Sequence, residues 1–283
     1  MTDMKDFNVA EFPTWCPGCG NFGIWTALKK TFSEMDLKPE DCAVISGVGC
    51  HGKFPYWFRS YGFSGLHGRP LPLAQGAKIA NHKLNVVVMS GDGDCYGEGG
   101  NHFIHACRRN VDITLIVHNN GNYGLTTGQY SPTSRQEYKS KTSPFGVEEL
   151  PVNPLMTSLT MGATFVARGY AGNMPLLVEL IKKGMQHKGF AHIDVLQPCV
   201  TFNKIDTYEA LNSRVYDLNK EGHDTKDWKK AFEKAQENER MPIGVFYEGD
   251  RPSFEQWSPQ LKETALVEKK LQPDVRDLLE GFY

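Results

Sequence analysis

Short runs rich in β-branched residues, apolar at successive positions, alternate along this chain with helix-period patterns. Strands apolar on both faces must be covered on both, and parallel neighbours need a crossover between them. A doubly wound, mostly parallel α/β sheet between helical layers meets both demands. The strongest runs are residues 85–90 (NVVVMS) and 112–118 (DITLIVH), with a helix predicted over 98–109 between them. A helix starting at Asn21, read as its N-cap, puts Ile24, Leu28, Phe32 and Met35 on one face. A strand over 43–48 and a helix over 71–82 follow, and weaker strands over 163–168 and 192–197 flank a helix over 175–187.

Beyond Asn203 the character changes. Helical patterns over 207–219 and 226–239 are highly charged, and an apolar run over 243–247 precedes a Pro-punctuated tail. Residues 1–203 are therefore expected to form the α/β domain. Residues 204–283 are expected to be an extension that packs on it or on a partner subunit. With 40% apolar and 23% charged residues in 283, a sizeable core is available. A net charge of −2 leaves no basic footprint for nucleic acid. No apolar run approaches the roughly 20 residues of a membrane helix, and the first residues lack a secretory apolar segment. No membrane association and a cytoplasmic location are expected. Seven cysteines, an odd number without secretory context, argue against a disulfide framework.

Two polar motifs carry the chemistry. Gly91-Asp92-Gly93-Asp94 closes one strong strand and Asn119-Asn120 closes the next. Both sit at the carboxyl edge, where open α/β sheets bind ligands. Mg²⁺ takes octahedral oxygen ligands and shares them with phosphates. Asp92 can offer a carboxylate oxygen, Asn120 an amide oxygen and Asn122 a backbone carbonyl, with two diphosphate oxygens and a water completing six. Gly91 and Gly93 allow close backbone approach, and a helix starting near Glu98 would aim its amides at the phosphates. Asp-Gly alone is a common turn, and an EF-hand is excluded by Tyr96 and Phe103 at ligand positions. The pair of motifs on adjacent strands is far more specific.

Cys16 and Cys19 form a Cys-x-x-Cys whose spacing suits zinc at least as well as an iron–sulfur cluster. A thioredoxin-like site is disfavoured, because no strand precedes it. Cys50 and Cys199 follow strands on the ligand edge, so the four can converge. Cys42 and Cys107 read as packing thiols, and the role of Cys95 is open.

The Gly-Asp-Gly and Asn-Asn pair resembles the thiamine-diphosphate-binding motif. The segments Tyr123-Gly124-Leu125-Thr126-Thr127-Gly128-Gln129 and Ser131-Pro132-Thr133 resemble the β subunits of 2-oxoacid:ferredoxin oxidoreductases. So do Trp15-Cys16-Pro17-Gly18-Cys19-Gly20, Gly47-Val48-Gly49-Cys50, Leu66-His67-Gly68-Arg69 and Gln197-Pro198-Cys199. The resemblance implies one [4Fe–4S] cluster on Cys16, Cys19, Cys50 and Cys199. It implies that Val48, Gly49, Cys50, His51, His67, Gly91, Gly93, Asp94 and Gly124 surround thiamine diphosphate, and that Lys53 and His67 act in catalysis. On their own, His67 reads equally as a loop histidine and Lys53 as a solvated lysine. Some family members carry Lys at the position of Thr127, which leaves substrate preference open. Trp25, Tyr61 and Trp228 are most simply core or interface residues.

The implied activity is the coenzyme A-dependent oxidative decarboxylation of a 2-oxo acid, pyruvate or 2-oxoglutarate, with electrons leaving through the cluster to ferredoxin. A non-oxidative thiamine-dependent decarboxylase or synthase shares the motif pair but does not need the cysteines. A zinc-stapled nucleotide-binding module would be colourless where an iron–sulfur protein is brown. The Glu that activates thiamine diphosphate sits on a second domain in such enzymes, and residues 204–283 lack the strands for one. A partner α subunit, or a fused α/γ chain, is expected to supply it in a heterodimer or a dimer of heterodimers. Trp228, Phe232 and Trp257 are candidate anchors for that partner.

Overall fold

A computed structural model describes residues 1–269 and 275–282. Eight strands form one sheet in the order β2-β1-β3-β4-β6-β5-β8-β7. They are β1 (Cys42–Ser46), β2 (Tyr61–Ser64), β3 (Asn85–Gly91), β4 (Thr114–Asn119), β5 (Phe165–Tyr170), β6 (Ala191–Leu196), β7 (Val215–Asp217) and β8 (Met241–Glu248). Every pairing is parallel except β5 with β8. The helices are α1 (Asn21–Glu34), α2 (Pro70–Ala80), α3 (Gly100–Arg109), α4 (Pro154–Thr160), α5 (Met174–Gln186), α6 (Tyr208–Asn212) and α7 (Trp228–Ala235), with further short turns.

Alternation along the strands feeds two apolar layers. Val87 and Met89 of β3 face a core with Ile24, Leu28 and Phe32 of α1 and Leu177, Leu180 and Ile181 of α5. Val86 and Val88 face the other core, with Leu71 and Ala74 of α2, Phe103 and Ala106 of α3 and Leu155 and Leu159 of α4. Full burial of an aliphatic side chain of this kind stabilises by about 1.5–3 kcal/mol. That is why these strands read as continuous apolar runs.

Four expectations shift. Asn21 is the first residue of α1 and makes no cap; Gly20 holds the N-cap position. The Asn21 side chain instead reaches Nδ1 of the buried His118, at 2.7 Å. A π-helical turn, Gly93–Glu98, begins directly after Asp92, so α3 starts only at Gly100 and the amide end nearest the motif belongs to that turn. The helix read over 207–219 is only the short α6, and the chain then extends into β7. The apolar run over 243–247 is the middle of β8, which joins the main sheet antiparallel to β5. Its hydrophobic side chains, Val245 and Phe246, are buried on opposite faces.

Candidate active site

The loops after β1, β3, β4 and β6 meet at the carboxyl edge of the sheet. β3 and β4 are parallel neighbours with Gly91 opposite His118, so Asp92 and the Asn119-Asn120 pair emerge side by side. Asp92 is 1% exposed. Its Oδ2 accepts from Ser131 Oγ at 2.5 Å and from Thr133 Oγ1 at 2.7 Å. Burial pushes the Asp92 carboxyl up, and these hydroxyls oppose the shift. A buried carboxylate is costly unless a cation or donors compensate it, and among the described residues no Lys or Arg forms an ion pair with it.

Asn120 Oδ1 accepts from the backbone N–H of Asn122 at 3.1 Å. The Asn122 side-chain nitrogen donates to the Asn120 carbonyl at 3.0 Å, which folds the segment into a compact turn. Asn122 Oδ1, Asn21 Nδ2 and His118 Nε2 are buried without a hydrogen-bond partner, and all three residues line one narrow cleft with Asp92 and Asn120. Unmet buried groups are rare in native proteins. Their concentration here, beside a buried carboxylate with no cationic side-chain partner among the described residues, fits a polar anionic ligand bound with a cation.

Asp94 plays a different part from Asp92. Its Oδ1 accepts from the amides of Val48 at 3.1 Å and Gly68 at 2.8 Å, and lies 2.8 Å from His67 Nδ1. Its Oδ2 accepts from Ser90 Oγ at 2.5 Å and lies 3.4 Å from His51 Nε2. Burial works against its charge, but the two histidines and the Gly68 amide hold the carboxyl well below the usual range. The hydrogen bond to Asp94 in turn raises the His67 pKa. Asp94 thus ties the loops after β1 and β2 to the π turn. Gly47 leaves room for it, since a Cβ there would fall 1.9 Å from Oδ2. Gly93 likewise must lack a side chain, because a Cβ would fall 2.2 Å from the Tyr123 ring, and at Gly91 it would meet the His51 ring at 2.7 Å. Val48, Gly49, Cys50, His67 and Gly124 line the same cleft.

The Cys19 thiol is pushed up to about 12, by burial first and then by the neighbouring Cys50, Cys199 and Cys16. A Cβ on Gly124 would stand 3.6 Å from the Cys50 sulfur and 3.7 Å from that of Cys199. Among the described residues no group of three or more His, Cys, Asp or Glu is spaced to hold a single metal ion. Cys42, Cys95 and Cys107 are buried in the two cores and their thiols are pushed up by burial, as packing thiols should be. Lys53 does not line the cleft; its ammonium lies 5.7 Å from the Trp57 ring and favours the thiolate of Cys50.

The sequence pattern does not single out Ser131 and Thr133 as individual residues, although their segment stands out. Hydroxyl side chains leave no signal until the fold returns the loop after β4 to Asp92. Gln197 escapes sequence reasoning in the same way. It lines both this cleft and a larger one of about 680 Å³ walled by Arg135, Arg168 and Arg214.

Residues 47–195 match the thiamine pyrophosphate enzyme, C-terminal TPP binding domain family. Residues 199–263 match the family of C-terminal regions of the pyruvate ferredoxin oxidoreductase beta chain. The chain is 43% identical to the 2-oxoacid:ferredoxin oxidoreductase subunit beta of Saccharolobus solfataricus, over 95% of this chain and 96% of that one. It is 38% identical to the 2-oxoglutarate synthase subunit KorB of Methanocaldococcus jannaschii, over 85% and 89%. The solved 2-oxoglutarate:ferredoxin oxidoreductase from Magnetococcus marinus, with 2-oxoglutarate, coenzyme A and succinyl-CoA bound, matches at TM-score 0.93 and 39% identity, over 100% of this chain and 96% of that one. The thiamine-binding match begins at Gly47, one residue after β1, and so takes in Asp92, Asn120 and the loops tied by Asp94. With its cleft, its sheet order and its relatives in agreement, the chain belongs to the β subunits of the 2-oxoacid:ferredoxin oxidoreductases, an oxidoreductase family with a thiamine-diphosphate-binding domain.

Proposed function

We propose that this β subunit, with an α-subunit partner, carries out the coenzyme A-dependent oxidative decarboxylation of a 2-oxo acid and delivers the electrons to ferredoxin. The carrying observation is the buried Asp92, which pairs with no Lys or Arg among the described residues, beside Asn120 and three unpartnered polar atoms in one cleft. Asp92, Asn120 and the Asn122 carbonyl would hold Mg²⁺, which would neutralise charge on a bound diphosphate. Among the described residues the Asn122 carbonyl accepts no backbone hydrogen bond, which leaves it free for that role. Ser131 and Thr133 orient the Asp92 carboxylate. Gly91 and Gly93 let the His51 and Tyr123 rings pack against the motif, Gly124 lines the cleft, and Asp94 holds Val48, His51 and His67 around it.

Cys16, Cys19, Cys50 and Cys199 would hold a [4Fe–4S] cluster; the support is that the Cys50 and Cys199 sulfurs both come up against Gly124 on the ligand edge. When bound, thiamine diphosphate supplies the electron sink for loss of CO₂, and the cluster accepts electrons one at a time. The α subunit is read as the source of the activating Glu and as the wall that closes the cleft. The names of the relatives favour 2-oxoglutarate as substrate, with pyruvate as the comparison. Anaerobic co-purification with the partner, followed by viologen reduction against a panel of 2-oxo acids, tests the reading. Coenzyme A-dependent reduction with 2-oxoglutarate is expected. Decarboxylation without viologen reduction would favour the non-oxidative alternative and overturn it.

A further inference from the structure

Gln197 follows β6 directly and is 3% exposed. Its backbone N–H donates to the Asn119 carbonyl at 2.9 Å, which locks it to the end of β4. Its side-chain Oε1 accepts from Asn120 Nδ2 at 2.9 Å. Its Nε2 donates to the Pro198 carbonyl at 3.0 Å and to the Cys19 sulfur at 3.4 Å. Backbone groups decide both amide orientations. The Pro198 carbonyl can only accept, so the nitrogen of Gln197 must face it. The Asn122 N–H can only donate, so Asn120 turns its oxygen there and its nitrogen to Gln197. Asn120 Oδ1 then keeps a second lone pair for a metal.

The neighbouring motif is shaped for this side chain. A Cβ on Gly20 would fall 2.7 Å from Gln197 Cγ, so only glycine lets Gln197 pass. The Gly20 N–H also donates to the Pro198 carbonyl, at 3.2 Å. The segment after Cys19 and the segment before Cys199 therefore interlock through one carbonyl and one amide.

We propose that Gln197 is a positioning residue shared by the two centres: its Oε1 fixes the Asn120 amide for metal binding, and its Nε2 hydrogen-bonds the Cys19 sulfur. The inference rests on the reading of Asn120 and Cys19 as ligands. Partners that orient a metal ligand typically change affinity by about 10–100-fold when removed. A hydrogen bond to a cluster sulfur stabilises the added negative charge of the reduced state and raises its potential.

Two variants separate the arms in the complete complex, purified anaerobically. Gln197→Met removes both hydrogen bonds. It should weaken Mg²⁺-dependent thiamine diphosphate binding by about 10-fold or more in calorimetry. It should also move the cluster midpoint to a more negative value in an EPR-monitored redox titration. Gln197→Glu still accepts from Asn120 but leaves no donor for Cys19: ionised it has none, and protonated its single O–H goes to the nearer Pro198 carbonyl. It should bind cofactor like the parent and shift only the midpoint. A Met variant with full iron in which either readout stays at the parent value overturns the inference, and so does a Glu variant with an unshifted midpoint. A parent complex without iron would instead overturn the reading of Cys19 as a ligand, and the inference with it.

Discussion

The two aspartates of the Gly-Asp-Gly-Asp segment lie two positions apart and do opposite work. Asp94 is saturated by protein donors and holds loops together, whereas Asp92 receives two hydroxyls on one oxygen and no cation. Asp92→Ala is therefore expected to abolish Mg²⁺-dependent binding of thiamine diphosphate while circular dichroism stays that of the parent. Unchanged cofactor affinity in calorimetry would refute the ligand role. At the thiols, Cys199→Ser should lose iron and sulfide or alter the reduced-state EPR spectrum. Cys42→Ser, at the buried start of β1, should keep its cluster. A Cys199→Ser protein with full iron and the parent spectrum would remove Cys199 from the ligand set.

At the scale of elements, periodicity is most legible where burial is complete. β3 and β4 are apolar on both faces, and their predicted limits lie within a few residues of the observed ones. β2 has no counterpart among the predicted strands: its four residues, Tyr61–Ser64, are all exposed at the sheet edge, so neither face carries a pattern. β8 reads locally as an apolar run of the extension, because nothing nearby says that it pairs with β5 across some eighty residues of chain. That pairing gives a testable consequence for the reading of residues 204–283 as an extension. Removing them would open the β5 edge and expose the surfaces that Val245 and Phe246 cover. Unpaired edges template aggregation. The truncated chain is expected to aggregate, or to unfold at a clearly lower temperature than the parent. A soluble monomer with the parent's Tm would show the extension to be dispensable.

The whole molecule should be acid-labile through its interior histidines. His192 is fully buried, with Tyr96 Oη 2.8 Å from Nε2 and Ser158 Oγ 3.1 Å from Nδ1. Burial, aided by Arg168, lowers its pKa from 6.5 to about 3, and burial lowers that of His187 as well. Below pH 6.5 the unfolded chain binds protons that the folded one refuses. The contribution is therefore intact above pH 6.5 and is lost as pH falls, by about 1.4 kcal/mol per pH unit for one such histidine. Thermal midpoints should fall between pH 7 and pH 5, and His192→Gln should flatten that slope; equal slopes would contradict the assignment. Catalysis also belongs to this scale. Expressed alone and reconstituted with cofactor, Mg²⁺ and cluster, the chain should not reduce viologen, and adding the α subunit should restore turnover. Robust turnover by the single chain would refute the shared site. Of the proposed anchors for that partner, Trp257 is 71% exposed, while Trp228 stacks on Phe232 and donates to the Leu159 carbonyl at 3.2 Å.

What the chain's own order of residues determined is local and periodic. Apolar runs imposed a sheet covered on both faces, and the polar motifs that close them placed Asp92 and Asn120 at one edge, because strand ends are set by where the apolar pattern stops. Glycines at 91 and 93 read as room for phosphates, whereas in the fold the side chains that a Cβ would meet there are the His51 and Tyr123 rings. The fold alone decided contacts between segments far apart in sequence: Ser131 and Thr133 on Asp92, His51 and His67 on Asp94, and Gln197 between Asn120 and Cys19. Polar contacts of this kind are directional and short-ranged, so no spacing in the sequence encodes them. They exist only once the sheet has brought its loops to a common edge.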